Sequence, residues 1–227
     1  MKKIISLTVI FLIIGMSHPL MAKKKQFQGK VTYTISYEGK KMDEAQAGMM
    51  PTTMMMYLGD GFVKNVLFTG MGQQSVIFDL EKKSKTSLID MMGQQFAIES
   101  SYDEIQKEFE REPEVEIDFT DETKEIAGHN CKKIIIKTIN DDGEISNENF
   151  AWFTEDLDVG PNLNFSQKIF EDVNGLLLEY QMDMGRGVMM KFTATEVEKR
   201  KIPTKDFLIP EGYKKVTREE LMNSLGG

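Results

Sequence analysis

Residues 27 to 37 alternate between two kinds of position. Phe27, Gly29, Val31, Tyr33, Ile35 and Tyr37 share one parity, and Gln28, Lys30, Thr32, Thr34 and Ser36 share the other. Period two over that length predicts a strand with one face buried and the other in water. The pattern breaks over 41–52, where Gly48 and Pro51 sit in a Met-rich stretch that reads as a loop. Strand signals resume at Met54–Leu58, turn at Gly59-Asp60-Gly61 and return through Phe62–Phe68. Ser75–Leu80, Thr86–Met91 and Phe96–Glu99 continue the series, separated by a polar turn at 81–85 and by Gly93-Gln94. Short strands at hairpin spacing predict an antiparallel meander.

Ser101 and Glu104 form a capping box, in which a serine oxygen and a glutamate satisfy the free amides of a helix start. Tyr102, Ile105 and Phe109 then share a helical face before Pro113. Val115, Ile117 and Phe119 alternate with acids, so a strand follows. The segment Thr123–Thr138 turns at Ala127-Gly128 into an apolar run, Ile134-Ile135-Ile136. Asp142-Gly143 predicts a type I′ hairpin turn, with a return strand over Ile145–Thr154. Asn164 and Gln167 predict the start of a short helix carrying Phe165, Ile169 and Val173 on one face. Leu176–Met184 and Val188–Ala194 predict a final hairpin, followed by an extended Asp206–Pro210. Thr217 and Glu220 make a second capping box for a C-terminal helix.

About ten strands and three short helices, without a repeat or a linker, imply one mainly β domain. An antiparallel sheet of that length curls towards a barrel. The expected fold is therefore a single curved sheet forming an open half-barrel, with the helices plugging its concave side.

The N-terminus changes the picture of where this happens. Lys2-Lys3, an apolar run from Ile4 to Gly15 and a small residue at Ala22 read as a secretory signal peptide over 1–22, leaving the domain at 23–227. The run is shorter than the roughly 20 residues of a membrane span, so no integral membrane segment is expected in the mature chain. The mature protein is expected in a periplasm or outside the cell. Loss of Lys2 and Lys3 moves the formal net charge from −8 to about −10. An acidic chain is a poor match for nucleic acid or anionic membranes. One cysteine, Cys131, excludes an internal disulfide.

Candidate chemistry is sparse. His129 and Cys131 fall short of the three or four ligands of a soft-metal site, since His18 belongs to the leader. They also lack the geometry of a nucleophile and its base. Asp141–Glu144 lacks the ligand alternation of a calcium loop. No GxSxG, HExxH, CxxC or phosphate loop is present. No catalytic residue, metal ligand or cofactor is therefore expected.

Methionine is the unusual feature, with 17 residues. Thioethers fill gaps in cores, make adaptable apolar surfaces and bind Cu(I). Apolar residues also occupy both parities of some strands, as in Met54–Leu58 and Phe62–Phe68. That pattern suggests an apolar groove lined by Met54, Met55, Met56, Leu67, Met91, Met92, Met189 and Met190. A lipid or other apolar small molecule is the partner this implies. The alternatives are an envelope interaction protein with a filled core, its protein partner unspecified, and a Met-rich copper-binding protein.

Five segments together resemble a known group: FQGKVTYTISYEG, TKEIAGHNCKK, AWFTEDL, NGLLLEY and FLIPEGYKK. They are similar to an uncharacterised family of exported bacterial proteins related to the GLPGLI proteins. Here Asn174-Gly175-Leu176-Leu177 stands at the GLPGLI motif, and His129 at a position expected to be aromatic. The resemblance implies a fold like the lipoprotein carriers LolA and LolB, and by analogy of fold a carrier role.

Overall fold

A computed structural model describes residues 26–39, 44–70, 72–91, 93–140, 142–185 and 187–225. The signal-peptide segment and Met92 lie outside these residues. Twelve strands join in one sheet. In chain order they are β1 (Gly29–Gly39), β2 (Thr53–Gly59), β3 (Phe62–Thr69), β4 (Gly72–Asp79), β5 (Ser84–Met91), β6 (Gln94–Ser100), β7 (Glu114–Ile126), β8 (His129–Ile139), β9 (Ile145–Thr154), β10 (Leu176–Asp183), β11 (Val188–Lys199) and β12 (Lys214–Lys215). The order across the sheet is β12-β6-β5-β4-β3-β2-β1-β11-β10-β9-β8-β7. The β1–β11 pairing joins two meanders, and only the short β12–β6 contact is parallel. The fold is the expected one, mainly β, with one open, curved and largely antiparallel sheet.

The helices depart from expectation in two places. A short α1 (Glu44–Met49) occupies the Met-rich stretch that read as a loop. The helix expected after Asn164 is only a 3₁₀ turn, Lys168–Phe170. Asn164 does not cap it. Its amide donates instead to the carbonyls of Val173 at 2.8 Å and Gly175 at 3.1 Å, closing residues 164–175 into a loop. Gly175 is required there, because φ is +154° and a Cβ would lie 2.6 Å from the Thr154 carbonyl. The two capping boxes form as expected. In α2 (Tyr102–Phe109) the Ser101 amide donates to Glu104 at 2.7 Å, and in α3 (Arg218–Leu225) the Thr217 amide donates to Glu220 at 2.7 Å.

The loop between β9 and β10 and the helix α2 fill the concave side. Phe165, Phe170 and Ile105 are fully buried there against Val31, Tyr33, Ile134 and Leu178. Tyr180 stacks on Phe192 at 4.6 Å, with Tyr33 and Phe170 edge-on to it. The Tyr33 hydroxyl, deep in this cluster, donates to the Leu177 carbonyl at 2.8 Å, so burial leaves no orphan donor. Lys168 ties the loop to the end of α2 by donating to the Phe109 carbonyl at 3.1 Å, which also accepts the Glu112 amide, and to the Glu112 carbonyl at 2.9 Å in the turn beyond it.

A second apolar cluster lies on the opposite face of β4–β6. The segment after β11 runs back across that face as a strap. It holds a 3₁₀ turn, Thr204–Phe207, where an extended run was expected. Ile202 and Phe207 bury Ile77, Leu88 and Ala97, with Tyr57, Phe62, Ile209 and Tyr213 around them. Phe207 stacks on Phe62 at 5.6 Å. The strap then pairs with β6 as β12. Much of the apolar character on both parities of these strands is thus covered by the chain itself.

A methionine-rich rim as the candidate functional site

Antiparallel order sends alternate strand ends to the same rim. One rim collects the ends of β1, β3, β5, β8 and β10 and the starts of β2, β4, β6, β9 and β11. The helix α1, between β1 and β2, lies there too: the Gly70 amide after β3 donates to the Met49 carbonyl at 3.3 Å. This topology gathers residues scattered in sequence. Met49, Met50, Met54, Met55, Met56, Met91, Met182, Met184, Met189 and Met190 all fall at or within a few residues of that rim. Among the described methionines only Met222, on α3, lies away from it.

The sequence-derived residues come to one region but not to one face. Met54 is buried opposite Tyr33 and Leu67. Met56, Leu67 and Met190 pack against the same interior cluster, with Met190 opposite Met182 and Tyr37. Met55 lies on the other face, opposite Thr32 and Val66, and its sulfur accepts the Tyr57 hydroxyl at 3.3 Å. Met189 shares that outer parity, opposite Glu38 and Asp183. Met91 is placed by its backbone alone, at the end of β5 opposite Gly72 and Gln94. Four exposed apolar side chains near the same rim stand outside the groove expected from the sequence: Met49, Phe68, Ile145 and Met184. Single exposed apolar residues carry no such signal until topology groups them.

Among the described residues the interior beneath is nearly solid. A cavity of about 20 Å³ remains beside Met56, Asn65, Gln167 and Tyr180. It has the room of a single water, and Asn65 Oδ1 and Gln167 Oε1 are buried near it without a protein partner. An acyl chain does not fit there. Larger hollows among the described residues are open surface clefts. One of about 530 Å³ lies between α2, α3 and β6, and one of about 660 Å³ lies by Gln26–Gln28 and Lys199–Lys201.

The rim is acidic. Glu38, Asp142, Glu144 and Asp183 are exposed on it, while the cations of its connections, Lys40, Lys41 and Arg186, lie outside the described residues. Elsewhere, Cys131 is fully buried, and burial pushes its thiol up to about 11, with a backbone bond and Lys124 opposing. A thiol so placed is a small core residue with little thiolate at neutral pH. Glu179 is buried on the outer face but paired with Lys124 at 2.9 Å, and that ammonium also lies 4.3 Å over the Trp152 ring. Among the described residues no His, Cys, Asp and Glu side chains cluster as a metal site, and no helix is long and apolar enough to cross a membrane.

No protein-family model and no curated protein matches the chain. The resemblance to the exported family therefore rests on the quoted segments alone. Among solved structures the chain is similar to PNGF-II, with a TM-score of 0.53 and 17% identity over 88% of this chain. It spans only 33% of that protein's length, so the shared fold is one part of a larger chain there. A LolA superfamily protein, NE2245 from Nitrosomonas europaea, matches at a TM-score of 0.26 and 10% identity over 81% of this chain and 91% of its own, a likeness too slight to build on. The fold defines a class, an open antiparallel sheet wrapped around its own loop and helix.

Proposed function

We propose that this chain is an exported, non-catalytic binding protein of the cell envelope that holds a lipid or other apolar ligand at its Met-rich rim. The observation that carries the reading is the convergence of methionines from separate segments on one rim, beside exposed Met49, Phe68, Ile145 and Met184. Thioether side chains adapt to varied apolar shapes, which suits a surface that must accept and release a chain. The acidic residues around the rim favour a neutral headgroup over a fatty-acid carboxylate.

Binding on a rim buries one side of an acyl chain. At about 0.8 kcal/mol per fully buried methylene, half burial makes each two-carbon extension worth about 0.8 kcal/mol, or roughly fourfold in affinity. Titration of the mature protein with monoacylglycerols of increasing length should show this slope. Met49→Gln, Phe68→Gln and Met184→Gln together should flatten it, since all three side chains are already exposed and the fold does not depend on them. Absence of any chain-length dependence would sink the lipid reading. The nearly solid interior then favours the second reading, an envelope interaction protein whose rim meets a protein.

A further inference from the structure

The sheet has two edges, and the chain treats them differently. At one, the strap covers β6 with β12, and the Val216 amide donates to Ala97 at 3.0 Å. At the other, β7 is the longest strand of the sheet, 13 residues, and pairs only with β8 among the described residues. An open edge presents a row of free amides and carbonyls, a template for one more strand.

The side chains of β7 say which strand fits. Glu114, Glu116, Asp118, Asp121, Glu122 and Glu125 are all exposed along it. Asp118 is neutralised by Lys137 at 2.6 Å and Glu122 by Lys133 at 2.9 Å. The other four make no ion pair among the described residues. The lysine of the strand, Lys124, is committed to Glu179. A second copy of β7 would set carboxylates opposite carboxylates, which opposes self-association. A basic strand would meet complementary charge.

The edge also carries a side-chain pocket. The register shifts between Phe119 and Thr123, and a cleft of about 450 Å³ opens beside the shift. Phe119 and Phe153, edge to face at 6.0 Å, line it together with Asp121 and Asp172. Phe119 is 59% exposed, a large ring that its own chain covers only on the side of Phe153. A lysine or arginine can lay its aliphatic stem on such rings while its charge reaches the carboxylates. Lys132 and Glu155, also in the cleft, pair with each other and leave Asp121 and Asp172 to the incoming cation.

We propose that β7 is a docking edge that takes an extended, lysine- or arginine-bearing segment of a partner protein as an additional strand, with one basic side chain seated in the cleft between Phe119, Asp121 and Asp172. Main-chain bonds supply affinity in this mode, and the pocket and charges supply selection.

The test is a peptide alternating lysine and valine over about six to eight residues, titrated into the mature protein by fluorescence anisotropy. Three outcomes are expected. N-methylation of alternate peptide amides weakens binding by about tenfold or more, the worth of one or two main-chain bonds. Glu116→Lys with Asp121→Lys, both exposed positions, weakens it similarly and reduces its salt dependence. Bound peptide slows hydrogen exchange at the outward amides of β7. Undiminished binding of the N-methylated peptide, equal binding of a glutamate-valine peptide or no binding at all would overturn the proposal. So would dimers of the chain that those two substitutions disrupt.

Discussion

The strap is the most directly testable part of the architecture, and Phe207→Ala is the perturbation of choice. Phe207 is 4% exposed, stacks on Phe62 with a 21° interplanar angle, and closes over Ile77, Leu88 and Ala97 together with Ile202. Truncating a buried phenylalanine costs about 3–5 kcal/mol, of which the ring pair supplies about 0.5–1.5. The strap lies at the margin of the sheet, so neighbouring side chains can relax into the space, and the low end, about 3 kcal/mol, is expected. Against a total stability of about 5–15 kcal/mol that is a large share. Urea unfolding of the mature chain followed by tryptophan fluorescence measures it through the shift in midpoint at constant slope. A companion, Gly59→Leu, attacks from below: a Cβ there would already lie 3.3 Å from Ile202 and 3.4 Å from Phe207, and a longer side chain must lift the strap. A loss under about 1 kcal/mol for Phe207→Ala would refute the view that the strap is this face's cover.

Two further outcomes follow from groups held away from their ordinary acidity. The Glu104 and Glu220 carboxyls are lowered first by backbone bonds from Ser101 and Thr217, then by the side chains of the same residues. A lowered carboxyl stabilises the fold above its ordinary value of 4.5 and loses that contribution as pH falls through the lower folded value. Amide protection in the first turns of α2 and α3, taken relative to the intrinsic exchange rate at each pH, should therefore fall selectively on acidification below that range, while the interior strands stay protected. Cys131, buried with its thiol pushed up, should resist aromatic disulfide reagents at pH 8 in the folded chain and react promptly in denaturant. Rapid modification of the folded protein would contradict that burial.

Much of the fold was legible because its signals are local. Alternation marks β1 and β10, and the turns at Asp60-Gly61 and Ala127-Gly128 carry the positive φ values that hairpins need. Serine and threonine three residues before glutamate mark α2 and α3. The segment Asn164–Val173 misled because Phe165, Ile169 and Val173 stand at helical spacing, whereas successive turns bury Phe165, Phe170 and Val173 and Asn164 spends its amide on loop carbonyls. The strap was hidden for a related reason. Ile202, Phe207, Ile209 and Tyr213 sit among lysines in irregular backbone, where no period exists to reveal a face. Apolar residues on both parities of β2 and β3 correctly signalled a need for cover, but that pattern does not distinguish a bound ligand from the chain's own tail. The rim had a compositional signal, the paired methionines, but nothing local that said which segments share an end. Its methionines share a rim only because strand order brings Met49, Met184 and Met189 to the same end of the sheet.

Methionine methyl NMR tests the rim most directly. With ¹³C-methyl methionine in the mature chain, titration with a neutral monoacylglycerol reports each thioether separately. Met222 is an internal control, 65% exposed on α3 and more open to solvent than Met49 at 48% or Met184 at 47%. The account predicts saturable shifts at Met49, Met184 and Met189 with Met222 unmoved. Shifts at Met222 equal to those at the rim, or no shift at any methionine, would contradict it.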